Sequence, residues 1–286
     1  MSSAPSPVWS TVDFEAPGKQ FGHLNLPHSV HRSGYGQIPI PICVINHGTG
    51  PTALLMGGNH GDEYEGQVGL LKLIRAVEPA MLQGRVIIIP AINLPAARAG
   101  TRTSPLDAGN LNRSFPGATD RGPTAMIAHY LNHKIFPLCA VMHDFHSGGS
   151  SMHYLHHATI ALSGEPEHDR RAIAAIKAFG PPRAKLMQPR VFWNSSHPAA
   201  TAQGMIALGG EFGGAGDVSP EGVTLIEMGQ QPLGTMFDER DAGDVSPISR
   251  SSSCRHRSRP RPRQASSKSM VPTTTSLRAT MASSSR

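Results

Sequence analysis

The chain has 286 residues, 38% of them hydrophobic, which is enough for one large α/β domain or two small ones. Its net charge of +6 comes from one segment: residues 248–286 carry eight arginines, one lysine and no acidic residue, which leaves the other 247 residues at −3. This mildly acidic body gives no support to nucleic-acid binding. No apolar run approaches the ~20 residues of a membrane helix, and the first ten residues lack a secretory signal pattern.

Cysteine usage indicates the cellular compartment. The three cysteines, Cys43, Cys139 and Cys254, are odd in number and far apart in the sequence. A disulfide framework needs paired cysteines in an oxidising compartment, so these residues are expected to be reduced thiols. We therefore expect a cytoplasmic protein.

Strand-like and helix-like segments alternate along the body of the chain. Residues 1–29 are polar and contain prolines, which predicts an irregular lead-in. Apolar, β-branched runs then predict strands at 38–45, 52–56, 85–92, 139–145 and 205–208. Helical spacing predicts helices at 65–77, with Val68, Leu71, Ile74 and Val77 on one face, and at 123–136. Strands separated by helices indicate a largely parallel sheet covered on both faces, with active sites at the strand ends.

The composition changes after the folded domain, which is expected to cover residues 30–240. Residues 241–286 are rich in Ser and Arg and poor in apolar residues, so they cannot bury enough surface to offset their ordering entropy. This predicts a disordered basic tail. Three interpretations of the tail stay open: a flexible segment without a role, a sequence read out of frame, and a nucleic-acid-binding tail.

The first chemical motif is a possible metal site. His60 and Glu63 are three residues apart, so in a helical turn both side chains can reach one ion. His146 ends a buried apolar run and is the best candidate for a third ligand. Two histidines, a glutamate and an open fourth position are typical of hydrolytic zinc sites. Asp144 lies on the same side of its strand as His146 and could orient that ligand or line the site.

Other polar residues near this motif are expected to be ordinary. His143 alternates to the opposite side of its strand from His146. Asp62 and Glu65 flank the metal motif and are expected to be solvated. Ordinary surface or core positions are expected for the histidines downstream, although they could rim the pocket: His153, His156 and His157.

Two arginines and a glutamate are candidates for substrate binding and proton transfer. Arg113, preceded by Asn112, presents a planar fork suited to a carboxylate, and Arg102 could hold a developing oxyanion. Either arginine could instead pair with a surface acid such as Asp107. Glu211 follows an apolar strand between glycines, a good place for a partly buried general base. The same glycines could mark a simple turn with Glu211 exposed.

Taken in order, the motifs of this chain resemble those of the succinylglutamate desuccinylase/aspartoacylase family, within the zinc carboxypeptidase superfamily. The resemblance covers residues 30–230 approximately and rests on six motifs. These are GGNHGDEYEG (57–66), PAINLPA (90–96), GTRTSPLD (100–107), NLNRSFPG (110–117), DFHSGG (144–149) and GEFGG (210–214). It implies a three-layer α/β/α zinc-carboxypeptidase-like fold with a mixed, largely parallel central sheet.

The resemblance also implies roles for individual residues. One Zn²⁺ per chain would be held by His60, Glu63 and His146. The substrate carboxylate would be gripped by Asn112 and Arg113. Arg102 would stabilise the oxyanion, and Glu211 would act as general base and then general acid.

The implied reaction is hydrolysis of the amide bond of a small N-acyl amino acid. The motifs are most similar to those of members that deacetylate N-acetyl-diaminobutyrate during ectoine breakdown. Two alternatives stay open: a zinc carboxypeptidase acting on peptides, and an inactive truncated or frameshifted product. The second arises because members continue into a β-rich C-terminal region that nothing after Pro247 resembles. The expected partner is a small molecule, not a membrane or a nucleic acid, and the oligomeric state stays open.

Overall fold

A computed structural model describes residues 5–187 and 194–229, all of which belong to one compact unit, residues 1–245. The tail expected at 241–286 and Cys254 lie outside the described residues. Among the helices of the described ranges, none is both long enough and apolar enough to cross a membrane.

A mixed sheet of nine strands forms the centre of the described fold. The strands are β1 (Trp9–Ser10), β2 (Gly18–Pro27), β3 (Gln37–His47), β4 (Thr52–Gly57), β5 (Gly84–Ile89), β6 (Val141–His146), β7 (His157–Ala161), β8 (Ala184–Met187) and β9 (Ile206–Glu211). Their order across the sheet is β1-β2-β3-β5-β4-β6-β9-β7-β8. The central run β5-β4-β6-β9 is parallel, as is the β7–β8 pair, and the remaining pairings are antiparallel.

Helices cover both faces of the sheet. They are α1 (Tyr64–Ala76), α2 (Leu94–Ala99), α3 (Pro123–Tyr130), α4 (Pro166–Phe179), α5 (Ser196–Thr201) and α6 (Pro220–Gly229), with short helical turns at Pro79–Met81, Leu111–Arg113, Leu131–Ile135 and Phe136–Leu138. Leu54 and Leu55, adjacent on β4, belong to two different hydrophobic clusters because strand side chains alternate between faces. The first cluster includes residues of α3 and α5, and the second includes residues of α1, α4 and α6. The three-layer α/β/α expectation is thus confirmed.

The prediction that residues 1–29 form an irregular N-terminal segment is wrong, because β1 and β2 lie within this range. β2 pairs with β3 along its whole length and buries Leu24 and Leu26 between more exposed neighbours. Its polar composition conceals a strand that depends on a partner elsewhere in the chain. The prediction of a largely parallel sheet is correct for the central strands. The antiparallel pairings lie towards the two edges of the sheet.

The helix expected at 65–77 is α1, and the expected face is buried at Ile74 and Val77 but not at Leu71. Leu71 is 46% exposed, whereas Leu70 and Leu73 are buried. Gly66 and Gly69 share this buried side. A Cβ at Gly66 would lie 2.8 Å from the Cβ of Phe145 on β6, so glycine allows the start of α1 to approach the sheet closely. Apolar periodicity does not detect such glycine contacts.

The parallel centre of the sheet places the predicted site residues at one edge. Gly57 at the end of β4 lies beside Phe145 of β6, and His146 lies beside Glu211 at the end of β9. The carboxyl ends of these three strands therefore meet, which is where open α/β sheets bind ligands.

Candidate functional site

Three buried side chains converge at this edge: His60, Glu63 and His146. The Nδ1 atoms of His60 and His146 each lie 2.7 Å from a different oxygen of the Glu63 carboxylate. One potential ligand atom from each residue lies within 4.8 Å of the other two. The structure therefore brings together the three residues expected from the sequence, in an arrangement that could hold one metal ion.

The segment between β4 and α1 explains how His60 and Glu63 reach one point. They lie in a turn that precedes α1, and the backbone N–H of Glu63 lies 3.4 Å from the carbonyl oxygen of His60. His60 and Glu63 were expected on one turn of a helix, and they lie instead in a single turn before α1. This turn also places two side chains three residues apart on the same side. Gly58 has a φ of +66°, a left-handed conformation that glycine adopts at little cost.

The second nitrogen of each histidine faces an oxygen. Nε2 of His146 lies 3.1 Å from Oδ2 of Asp144, and Nε2 of His60 lies 3.2 Å from Oδ1 of Asn110. In a neutral imidazole, a hydrogen bond from Nε2–H to oxygen leaves the Nδ1 lone pair for a metal, which would replace the Nδ1 proton of a charged histidine. The arrangement fits a divalent cation such as zinc, because two imidazole nitrogens and a carboxylate converge with their supporting hydrogen bonds.

Asp144 has the position expected of a residue that orients His146. It is fully buried, and its Oδ2 also accepts hydrogen bonds from Nδ2 of Asn59 (2.9 Å) and Oγ of Ser196 (2.6 Å). Burial by itself raises the pKa of Asp144. The adjacent His146 outweighs that effect, so the pKa lies well below the usual aspartate range. Asp144 is therefore ionised at neutral pH.

The Glu63 carboxylate is also ionised. Burial favours its protonated form, but the charge of His146 and the hydrogen bonds from His146 and His60 hold the pKa at about 2. Nη1 of Arg102 lies 3.2 Å from Oε1 of Glu63, which adds a half-exposed cation at the mouth of the site. Arg102 therefore pairs with Glu63. Asp107 accepts hydrogen bonds from Thr124 and from the backbone of Gly109 instead.

Asn112 and Arg113 line the same cavity as the three metal-site residues. Nδ2 of Asn112 lies 3.4 Å from Nε2 of His146, and its Oδ1 accepts the backbone N–H of Ser196 at 3.0 Å. Burial and the charge of Arg102 lower the pKa of Arg113. The guanidinium groups of both arginines line this cavity, which favours an anionic group of a ligand there.

Glu211 lines the cavity from the end of β9 and is partly buried. Its Oε2 has no hydrogen-bond partner among the described residues. Burial raises its pKa to about 7, and the negative charges of Glu63 and Asp144 contribute. The alternative of an exposed Glu211 in a simple turn is therefore wrong.

The cavity has a volume of about 1120 Å³ and includes a histidine that the sequence did not single out. His197, from α5, is buried against Gly209 of β9, and burial lowers its pKa to about 4, so its imidazole is neutral. Ser196 beside it donates its hydroxyl to Oδ2 of Asp144. Nothing in the local sequence at 194–197 distinguishes these residues from an ordinary polar turn.

The neighbouring residues gave mixed outcomes. His143 is buried on the opposite side of β6 from His146 and stacks on Phe145 with ring centroids 3.9 Å apart, as expected for a core histidine. The solvated positions expected for Asp62 and Glu65 are wrong, since their side chains are buried. Solvation was predicted because both residues are charged. In the structure, the loop after β6 covers the Asp62 carboxylate, and the loop after β9 covers that of Glu65.

Known proteins resemble this chain in sequence and in fold. Residues 49–233 match the model of the succinylglutamate desuccinylase/aspartoacylase catalytic domain. The chain is 46% identical over 225 residues to the N-alpha-acetyl-L-2,4-diaminobutyric acid deacetylase of Halomonas elongata, covering 79% of this chain and 66% of that protein. It therefore spans just under two thirds of that relative's length.

Solved structures show the same architecture. A succinylglutamate desuccinylase from a Silicibacter species superposes with a TM-score of 0.79 at 35% identity, covering 82% of this chain and 71% of the other. The product-bound ectoine utilization protein EutE (DoeB) from Ruegeria pomeroyi superposes with a TM-score of 0.77 at 38% identity, covering 80% and 70% respectively. The fold around the site is thus shared with these proteins.

Proposed function

This chain belongs to the succinylglutamate desuccinylase/aspartoacylase catalytic-domain family, and on that premise we propose that it hydrolyses the amide bond of a small N-acyl amino acid. The observation that carries the proposal is the convergence of His60, Glu63 and His146 beside a carboxyl group, Glu211, whose pKa is raised. The relatives named a diaminobutyric acid deacetylase and an ectoine utilization protein make N-acetyl-diaminobutyrate the first substrate to test.

We assign one Zn²⁺ per chain to His60, Glu63 and His146. When bound, such an ion supplies a Lewis acid that polarises the substrate carbonyl and lowers the pKa of water. The hydrogen bonds of Asp144 and Asn110 fix the orientation of the two imidazoles. Arg102 lies against Glu63, where its guanidinium donates to the oxyanion that develops on the carbonyl oxygen.

Glu211 is the group best suited to move protons in this site. A general base works best when its pKa is near the working pH. The pKa of Glu63 is about 2 and that of Asp144 is also depressed, so neither holds a proton at neutral pH, whereas the pKa of Glu211 is about 7. The oxygen of a water molecule attacks the amide carbon, and Glu211 accepts a proton from that water. It returns that proton to the leaving nitrogen as the C–N bond breaks.

Asn112 and Arg113 are assigned to the carboxylate of the amino-acid substrate. Their position at the wall of the cavity, which Arg102 also lines, supports this role. Cys43 and Cys139 are free thiols, which supports the proposed cytoplasmic location.

A second candidate function is hydrolysis of a peptide at its C-terminus. The cavity of about 1120 Å³ exceeds the ~300–1,000 Å³ typical of small-molecule sites, which favours a longer substrate. The two functions share the metal and the general base, but they differ in how the site tolerates substrate length.

The test measures metal content and turnover on the same full-length preparation. N-acetyl-diaminobutyrate is compared with N-succinylglutamate, N-acetylaspartate and a set of N-acetylated dipeptides and tripeptides. The proposal expects one zinc per chain, preference for a single N-acyl amino acid, loss of activity after chelation, and recovery when zinc is added back. Preference for the longer peptides would favour the carboxypeptidase. A chain that binds no metal and hydrolyses none of these substrates would refute both candidates and support the inactive product.

A further inference from the structure

The carboxylate of Glu65 is buried at the start of α1 and has a specific hydrogen-bonding task. Its Oε1 accepts the backbone N–H groups of Gly214 (2.8 Å) and Ser219 (3.2 Å). Both donors lie on the segment that follows Glu211 and connects β9 to α6. Glu65 therefore ties the continuation of β9 to the element that carries Glu63.

Asp62, on the other side of Glu63, makes the corresponding contact with the loop after β6. Its Oδ2 accepts both the backbone N–H and the hydroxyl of Ser150, each at 3.0 Å. That loop directly follows His146. The two carboxylates beside Glu63 thus each hold the loop that follows another residue of the proposed site.

The two loops also bond directly to each other. The carbonyl oxygen of Gly213 accepts the N–H groups of Gly148 (3.0 Å) and Tyr154 (2.9 Å). In return, the N–H of Ala215 donates to the carbonyl oxygen of Met152 at 2.7 Å. Movement of one loop therefore disturbs the other. Glu65 attaches the pair of loops to α1, and Asp62 attaches it to the turn before α1.

Packing alone does not account for a carboxylate at position 65. The side chain is fully buried, and its Oε2 has no hydrogen-bond partner among the described residues. An apolar side chain of similar size would fill this space without the cost of burying an unpartnered polar atom. It could not accept the N–H of Gly214, whose φ of +126° belongs to a loop that glycine makes possible.

From these contacts we propose that Glu65 is a positioning residue, which holds the Glu211 carboxylate in place by fixing Gly214 and Ser219. The proposal rests on the proposed function, because it takes Glu211 as the general base. A base displaced by about 1 Å from its substrate can lose ~10²-fold in rate, so the effect belongs in kcat rather than in substrate binding.

The experiment compares Glu65→Ala, Glu65→Asp and Glu65→Gln in the zinc-loaded full chain. Gln keeps an oxygen where Oε1 lies, Asp withdraws it by one methylene, and Ala removes it. The control is Asp169→Ala on α4, which removes a carboxylate that likewise accepts backbone N–H groups, those of Ser163 and Gly164. Each variant is measured for kcat, KM, zinc content and amide hydrogen exchange at Gly214 and Ser219.

We expect kcat to fall ~10²-fold in Glu65→Ala, less in Glu65→Asp and least in Glu65→Gln, with KM and zinc content close to wild type. Amide exchange at Gly214 and Ser219 should be fastest in Glu65→Ala, slower in Glu65→Asp and slowest in Glu65→Gln. The control Asp169→Ala should change neither kcat nor exchange at these two amides. Wild-type kcat in Glu65→Ala, or a loss of kcat with unchanged exchange at these amides, would overturn the inference. If Glu65→Ala does not fold, the other two variants test the inference. Glu65→Asp should then lose more kcat and show faster exchange at Gly214 and Ser219 than Glu65→Gln.

The two proposals fail in distinguishable ways. An inactive wild-type chain refutes the proposed function. An active wild type with a fully active Glu65→Ala refutes only the positioning role.

Discussion

Replacement of Asp144 by asparagine tests whether this buried carboxylate orients a metal ligand. The amide preserves the shape of the side chain and one acceptor oxygen, but it removes the negative charge. In the wild type, Asn59, Ser196 and Nε2 of His146 all contact the charged Oδ2 atom. Hydrogen bonds to charged groups contribute about 1 kcal/mol more than neutral ones. Three such bonds predict a loss of about 3 kcal/mol in the unfolding free energy of the metal-free protein. Loss of the partner of a ligand histidine also predicts ~10–100-fold weaker zinc binding.

The two quantities are measured separately. Zinc affinity comes from competition with a chromophoric chelator, and the unfolding free energy comes from urea denaturation of the metal-free chain. Asp169→Asn serves as the control, because the Asp169 carboxylate accepts hydrogen bonds from Ser163 and Gly164 and not from a proposed metal ligand. If Asp144→Asn loses stability but keeps its zinc affinity within twofold of wild type, Asp144 supports the fold and not the metal ligand.

Three further predictions concern the reaction. Glu211→Gln should keep one zinc per chain and lose at least ~10²-fold in kcat, because an amide accepts no proton; retained turnover would refute the assigned role. The value of kcat/KM should rise with pH as Glu211 loses its proton, with an apparent pKa at or below about 7, since a bound cation lowers that pKa. A flat profile across this range would contradict the assignment. Arg113→Lys should raise KM ~10-fold, because lysine lacks the bidentate fork, and an equal rise with a substrate carboxamide would show that the carboxylate is not its partner.

Local spacing was enough to single out His60, Glu63 and His146, the three proposed metal ligands. His60 and Glu63 belong to one turn, so three residues of separation determine that they face the same way. Alternation along β6 separated His146 from His143, because neighbouring strand residues point to opposite faces. These inferences needed only the geometry of a turn and of a strand.

Inferences that depended on contacts from elsewhere in the chain were less successful. The polar segment at Gly18–Pro27 is a strand because β1 and β3 pair with it on its two sides. Asp62 and Glu65 were expected to be solvated because they are charged, yet loops that follow β6 and β9 cover them. β2 and β3 are consecutive strands, but Asp62 and Glu65 bond to groups 88 and 149 residues away, and composition contains no record of either kind of contact.

The sequence by itself determined which groups are available for chemistry and which of them are local neighbours. It supplied the His60–Glu63 turn, the alternation of β6 and the glycines that let loops pass close to the sheet. Only the tertiary structure decided that His146, 83 residues beyond Glu63, meets it at 2.7 Å and that Glu211 lies beside His146. The physical reason is that parallel pairing of β4, β6 and β9 aligns their carboxyl ends. Burial at that edge then raises the pKa of Glu211 to about 7, while the charge of His146 holds that of Glu63 at about 2.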